Sequence, residues 1–515
     1  MKKIILILIT IVLCGTISAQ YQVTHPHGDL PGGDALYQNP IFAGDYPDPS
    51  ILRDGKDYYI VHSSFEYYPG LLIWHSTDLI NWTPVANALH TYIGSVWAPD
   101  LVKHNGKYYI YIPAENRNYV IWADSIEGPW SEPIDLNFNE GIDPGHVADA
   151  DGKRYLYFSN GGYVPLSDDG LSVIGDFHHS YDGWPIPREW TIECFCLEGP
   201  KFIKRGEYYY LITAQGGTAG PATGHMIVVA RSKSPLGPWE NSPYNPIIRT
   251  TSHTERWCSK GHGTPFEDHT GNWWMIYHAY EKNFYNMGRQ TMLEPIEWTA
   301  DGWFKTPDGV KSDAPIKRPS LSAGKPGRGT LPLSDDFGGT TLRPHWKFFG
   351  GYDPNRFRFE NSALVMQAKG NGVGNCSPML CVPSHHSYTI DVEINIEGNA
   401  TAGLVLFYNN NFHSGILADR KDIIADLRGW QFPTEKSVIQ GKVFLRLKNV
   451  RNLVDMYYSL DGNNWIKIEN SADVSSMHHN VLSGFMSLRV GLCAYGEDAV
   501  SFKNFRYIPI DEELK

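Results

Sequence analysis

The sequence predicts an all-β protein in two unequal parts, a five-bladed β-propeller followed by a β-sandwich. Three observations carry this expectation. One short motif recurs five times in the first 300 or so residues, a Pro/Gly/Ser-rich stretch then interrupts the chain, and about 180 residues follow with strands but without the motif.

The five copies read DPSILRDGKDYYIV from Asp48, APDLVKHNGKYYIY from Ala98, DPGHVADADGKRYLYF from Asp143, GPKFIKRGEYYYLI from Gly199 and TPFEDHTGNWWMIY from Thr264. In each, a proline behind an acid or a small residue leads through a short run to a glycine turn and then to paired aromatics. The Pro-to-Gly gaps are 6, 7, 8, 6 and 6 residues, and successive starting prolines lie 50, 45, 56 and 65 residues apart. That spacing, filled with short strands and turns, is the signature of propeller blades. Runs such as Tyr58-Tyr59-Ile60-Val61 and Tyr208-Tyr209-Tyr210-Leu211-Ile212 are buried strands by composition. The repeats close alike, at Asn81-Trp82, Gly128-Pro129-Trp130, Gly237-Pro238-Trp239 and Asp301-Gly302-Trp303. No stretch of the repeats sustains a helical period.

The expected boundaries are 1–19 for an export signal, 20–316 for the propeller, 317–332 for a linker and 333–515 for the sandwich. Lys2 and Lys3 precede an apolar run from Ile4 to Leu13, and Ile17-Ser18-Ala19 offers a small-residue cleavage site. The run is too short to span a bilayer and no other segment could. Cys14 raises a lipid-anchor alternative, but Leu13 before it is bulky where such signals take a small residue. Periplasmic or secreted export is the expectation. The linker reads KRPSLSAGKPGRGTLP from Lys317. Beyond it, segments 388–394, 402–408 and 453–459 are strand-like and separated by turns such as Asp461-Gly462-Asn463-Asn464, the pattern of a two-sheet sandwich.

At 515 residues two domains are the prior. A net charge of −12 without a Lys/Arg cluster argues against a nucleic-acid partner. Aromatics make up 13% of the chain. Most are expected to fill the β-core, and the rest suit sugar faces, which stack on rings. Six cysteines remain after removal of the signal. Cys194 and Cys196 are too close along a strand to bridge each other comfortably, and no metal spacing such as CxxC occurs. Buried free thiols are expected, with Cys376–Cys381 as an open option for a bridge.

Three copies carry a carboxylate beside the shared proline: Asp48, Asp143 and Glu198. A lone Asp-Pro most often starts a turn. Three such acids at matching positions of separate blades converge on one axis, and clustering like charges is costly unless function keeps them. Glycosidic hydrolysis uses such a cluster. One carboxyl donates a proton to the leaving oxygen, another activates water, and a third nearby raises the pKa of the donor.

The segments GDYPDPSILR, IDPGHVADADGKRYLYF, EGPKFIKRGEYYYLIT, SKGHGTPFED and MGRQTMLEPIEW together resemble, in order, the conserved blocks of glycoside hydrolase family 43. The likeness runs from Asn39 to about Trp303 and implies a five-bladed propeller with an inverting mechanism. It places Asp48 as general base, Glu198 as general acid and Asp143 as the residue that tunes and orients the acid. It places Arg289 on hydroxyls of the terminal sugar, with Phe65 and Trp97 as sugar-contacting rings. Gln290 stands where the family often has Glu, which leaves its role open. His262 matches a histidine near the channel centre that holds a calcium or other ion in some members and only water in others. No cofactor is required by the chemistry. Asp100 lies two residues past the position of Asp48 and is read as structural.

The C-terminal part is similar to the lectin-like, concanavalin-type jelly roll of the β-xylosidase and arabinofuranosidase branch, where it closes one side of the pocket and favours exo action. The expectation is therefore an exo-acting inverting hydrolase of oligo- or polysaccharide that removes terminal non-reducing α-L-arabinofuranosyl residues from hemicellulose side chains. The lean to arabinose is a prior about exported side-chain trimming, and β-D-xylosidase or dual activity is the alternative. A non-catalytic carbohydrate-binding propeller would be favoured had one of the three acids been missing, and the concentration of acids at the axis argues against a purely structural propeller that presents the sandwich to a partner. Oligomeric state is left open.

Overall fold

The computed structural model describes residues 35–321 and 331–510. The expected export signal, with Cys14, and residues 322–330 of the expected linker lie outside the described residues.

Five four-stranded antiparallel sheets, the fourth with one extra short strand, follow one another along the chain. Their first strands are Ser50–Asp54, Asp100–His104, Gly145–Ala148, Glu198–Arg205 and Trp257–Glu267. Each continues into its second strand through the repeated glycine, and Gly55, Gly106, Gly152, Gly206 and Gly271 all have positive φ, as the tight hairpin demands. This is why the motif was visible: every blade starts with the same local hairpin. The N-terminal segment latches the first blade to the last. Asn39 exchanges two 2.9 Å hydrogen bonds with the backbone of Leu293, and the Tyr37 hydroxyl donates to the Leu293 carbonyl at 2.6 Å.

The C-terminal part packs a seven-stranded sheet on an eight-stranded one around a single apolar core. The eighth strand of the larger sheet is not its own. Tyr67–Tyr68, from the loop inside the first blade, pairs with Lys347–Phe349 and forms the sheet edge. Propeller and sandwich are therefore joined by a shared sheet as well as by side chains. At the same seam Glu281 binds Arg256 and, at 2.8 Å, His386, whose ring stacks on Phe284.

The cysteine expectations need correction. Cys194 and Cys196 form a disulfide. They do not lie on a strand: the strand begins at Glu198, and Cys196 turns with a φ of 40°, which brings the two Cα atoms to 5.3 Å, inside disulfide range. Cys376 and Cys381 remain free and buried, as do Cys258 and Cys493. The neighbour of the Cys376 thiol is Cys493, not Cys381.

Candidate active site

The blade motif also aims the acids. Asp48 and Asp143 directly precede the innermost strands of blades one and three, with φ of 56° and 55°. Glu198 opens the innermost strand of blade four, and Gly199 after it has a φ of 60°. In blade five His262, two residues before the shared Thr264-Pro265, has a φ of 53°. These left-handed turns at the entrance of axial strands direct the side chains to one end of the channel. For non-glycine residues that conformation is uncommon and must be held by its surroundings. At Asp48 the backbone N–H donates to His278 Nδ1 at 3.1 Å. Gly199 could not be another residue, since a Cβ there would stand 2.9 Å from the His262 ring.

Asp48 is buried in a dense donor set. Its Oδ1 lies 2.9 Å from Arg289 and 3.6 Å from His262 Nδ1, and its Oδ2 accepts from the Ser63 hydroxyl at 2.5 Å. Burial opposes ionisation, but the Arg289 guanidinium and the His262 imidazolium outweigh it and hold the carboxyl well below the usual range. His278 is pushed down to about 3 by burial and is neutral. Its Nδ1 lies 3.1 Å from both the Asp48 N–H and Asp48 Oδ1, and its Nε2 faces the Thr218 hydroxyl at 3.3 Å.

Glu198 goes the opposite way. Burial raises its pKa, His262 pulls it down, and the charges of Asp143 and Asp48 push it further up, so the net shift is upward. His262 sits between all three acids, with Nε2 at 3.4 Å from Asp143 and 3.6 Å from Glu198. Burial disfavours its charge, but Asp48, Asp143 and Glu198 together lift it to about 10. With Glu198 protonated, two carboxylates face one imidazolium and one guanidinium, and the buried cluster is neutral. A whole imidazole ring spans the gap between Asp48 and Glu198. Asp143 also accepts from the Gly199 N–H at 3.2 Å, which ties it to the strand that carries Glu198.

These groups line a small pocket whose wall includes Phe65, Trp97, Thr218 and Phe485. All seven residues singled out from the sequence (Asp48, Phe65, Trp97, Asp143, Glu198, His262 and Arg289) meet there. Gln290 does not: it is buried away from the pocket, donating to Glu281 and accepting from the Gly44 N–H. Asp100 lies beneath the site and binds Lys201 at 2.6 Å, the Ser50 hydroxyl and the His146 N–H. It thus ties the innermost strands of four blades together, which is the structural part expected of it.

Sequence reasoning missed His278, His225, Ser63 and Phe485. His225 is fully buried beside the other two histidines, its Nδ1 at 3.9 Å from Glu198, and a Cβ on Gly261 would overlap its ring. Phe485 comes from the sandwich. A short helix, His479–Leu482, ends in a turn where the Phe485 N–H donates to His479 Nδ1 at 2.8 Å and the two rings stack. The phenyl ring lies 5.6 Å from the Arg289 guanidinium and 6.3 Å from Trp97. Nothing in its local sequence, Ser483-Gly484-Phe485-Met486, signals that position.

Asp143, Glu198 and His262 offer ligand atoms within 4.8 Å of one another. They do not fit a directly bound calcium, which takes six to eight oxygens. This group supplies only two carboxylates, and one already accepts from Gly199.

Residues 37–304 match the family model of the glycosyl hydrolases family 43, and residues 334–508 match the concanavalin A-like C-terminal domain of β-xylosidase. A xylan 1,3-β-xylosidase from Vibrio sp is 30% identical over 84% of this chain and 90% of its own. A non-reducing end α-L-arabinofuranosidase from Bacteroides ovatus is 26% identical over 89% and 91%. Among solved structures, the BlXynB protein of Bacillus licheniformis superposes with a TM-score of 0.82 at 29% identity, covering 92% of this chain and all of that one.

Proposed function

Since the chain belongs to glycosyl hydrolases family 43 and is a glycoside hydrolase, we propose that it is an exported, exo-acting inverting enzyme that releases single terminal pentoses from hemicellulose. The observation that carries the exo reading is Phe485. A ring from a second domain lines the pocket beside Arg289, which supports a site that takes a chain end.

In this reading the terminal sugar stacks among Phe65, Trp97 and Phe485, and Arg289 donates to its hydroxyls. Glu198, protonated because burial and its acidic neighbours raise its pKa, gives its proton to the glycosidic oxygen as the bond to the anomeric carbon breaks. Asp48, ionised, takes a proton from a water that attacks the same carbon from the opposite face. His262 keeps the cluster neutral throughout. Asp143 holds the pKa of the acid up and, through the Gly199 N–H, fixes the strand that carries it.

Two sugars suit such a pocket. The β-D-xyloside reading has the broader support: the Vibrio relative and most of the others bear xylosidase names, and the sandwich matches a β-xylosidase domain. The α-L-arabinofuranoside reading is supported by the Bacteroides ovatus relative. Rates on aryl β-D-xyloside and aryl α-L-arabinofuranoside separate the two, and NMR of the first-formed product checks the stereochemistry. A product that retains its anomeric configuration would overturn the roles given to Asp48 and Glu198.

A further inference from the structure

A second cavity, of about 60 Å³, lies at the seam between propeller and sandwich. Its apolar wall includes Leu71, Trp74 and Val382, yet polar groups of both domains project into it. From the sandwich come His345 and Lys347 at the strand that pairs with Tyr67–Tyr68, and Arg489 at the start of the strand Arg489–Gly496. From the propeller come Asp45, His62, Ser64 and Tyr67.

The chemistry of this lining is lopsided. Arg489 Nε, the Tyr67 hydroxyl, the Ser64 hydroxyl, His345 Nε2 and His62 Nδ1 are buried without a hydrogen-bond partner among the described residues, and on the acceptor side so is Asp45 Oδ2. The residues Arg489, Tyr67, Lys347, His345 and His62 are all more than nine-tenths buried. Buried polar groups in native proteins are nearly always satisfied, and an unpaired buried donor is costly. Two cations, Arg489 and Lys347, face one carboxylate, Asp45, whose Oδ2 is 3.9 Å from Arg489. The guanidinium covers the Tyr67 ring at 3.4 Å, and the Lys347 ammonium has Asn87 as a neutral acceptor. The two histidines add no charge, since burial holds each down to about 3. Asp45 offsets Arg489, so the positive charge left over is that of Lys347 while it is protonated, and it stands in an apolar enclosure with the unpartnered Arg489, Tyr67 and Ser64 donors. Such a lining calls for a single negative charge that accepts hydrogen bonds.

We propose that this cavity binds one small monovalent inorganic anion of the halide class, held by Arg489, Lys347 and the Tyr67 hydroxyl, and that the anion fastens the propeller to the sandwich behind the catalytic base. The fastening reaches the active site by two short paths. Ser63 lines the cavity and donates to Asp48, while Asp45 accepts from the Arg289 N–H at 3.3 Å. Burial and Arg489 push the Lys347 ammonium down to about 7, a penalty that a bound anion would offset.

The test uses the full chain. Crystals grown without halide and soaked in sodium bromide should show an anomalous peak in the cavity at hydrogen-bonding distance from Arg489 Nε, and no peak there would overturn the proposal. In solution, chloride titrated against gluconate at constant ionic strength should raise Tm along a saturating curve. Lys347→Met should move the half-saturation point tenfold or more to higher chloride, and Tyr67→Phe should move it less. Chloride-free hydrolysis of aryl pentosides by Lys347→Met should stay at the wild-type rate. A Tm response that does not saturate, or one identical in all three proteins, would also overturn it.

Discussion

Asp143→Asn removes one negative charge from the acid cluster at almost no cost in shape. The amide oxygen can still accept from the Gly199 N–H, now at 3.2 Å, so the strand bearing Glu198 keeps its anchor. The ligand atoms of Asp143 and Glu198 lie within 4.8 Å of each other. At an effective dielectric of about 20, two unit charges at that distance repel by roughly 3.5 kcal/mol. The His262 imidazolium between the two acids screens part of this repulsion, and what remains is lost in the variant, so the pKa of Glu198 should fall. The acid must be protonated to work, and activity persists only below its pKa. The alkaline limb of the kcat/KM profile on an aryl pentoside should therefore move to lower pH, with the rate at neutral pH falling in step. The acidic limb, set by ionisation of Asp48, should move less, although the carboxylates titrate as a set. An alkaline limb that stays in place in a folded Asp143→Asn protein would refute the electrostatic role and leave Asp143 as a turn residue at the head of a blade strand.

Glu198→Gln should abolish most hydrolysis of natural oligosaccharides while sparing aryl glycosides with good leaving groups, which need little protonation; equal losses on both, read from kcat/KM, would count against it as the donor. His262→Gln removes a cation that stays charged across the working range, because its pKa stands at about 10. The Asp48 pKa should rise and carry the acidic limb of the pH profile upward, and an unmoved acidic limb would remove His262 from the electrostatics of the base. Phe485→Ala should raise KM on terminal pentosides about five- to tenfold, worth roughly 1–1.4 kcal/mol of lost stacking, with kcat changed less. A KM unchanged in steady-state kinetics would mean that the sandwich does not touch the sugar.

What was legible in the sequence is what the chain builds locally. Each blade opens with a hairpin whose turn needs a glycine at positive φ, so Gly55, Gly106, Gly152, Gly206 and Gly271 punctuate the sequence at blade intervals and fix the register of the acids. Asp48, Asp143 and Glu198 could be paired off in advance because equivalent positions in a closed ring must converge. His278 and His225 were not legible. His278 sits on the second strand of blade five and His225 just before the third strand of blade four, where a histidine has no motif around it; the closed ring brings His278 against Asp48, and the fold of blade four brings His225 near Glu198. The Cys194–Cys196 bridge was misread because it depends on one left-handed residue, Cys196, that takes the segment off the strand. Tyr67–Tyr68 gave no sign that it would pair in the sheet of another domain, since its partner Phe348-Phe349 lies about 280 residues away.

That shared sheet bears on catalysis as well as on architecture. Phe65, two residues before the exported strand, lines the catalytic pocket, while Ser63 and Ser64 in the same loop face Asp48 and the seam cavity. The loop is held at one end by the blade, through the Phe65 N–H to the Val96 carbonyl at 2.8 Å, and at the other by the sandwich strand 347–349. Phe65 keeps a φ of 48°, a conformation that costs a non-glycine residue about 1–2 kcal/mol, against paired backbone hydrogen bonds with Val96 at 2.8 and 3.1 Å. Phe485 of the sandwich lines the same pocket, so the sugar-binding face is assembled from both domains and the three acids from one. Binding and proton transfer are thus separated physically: substitutions of the pocket rings Phe65 and Phe485 are expected to act on KM, and those of the acids at the blade entrances on kcat and its pH dependence.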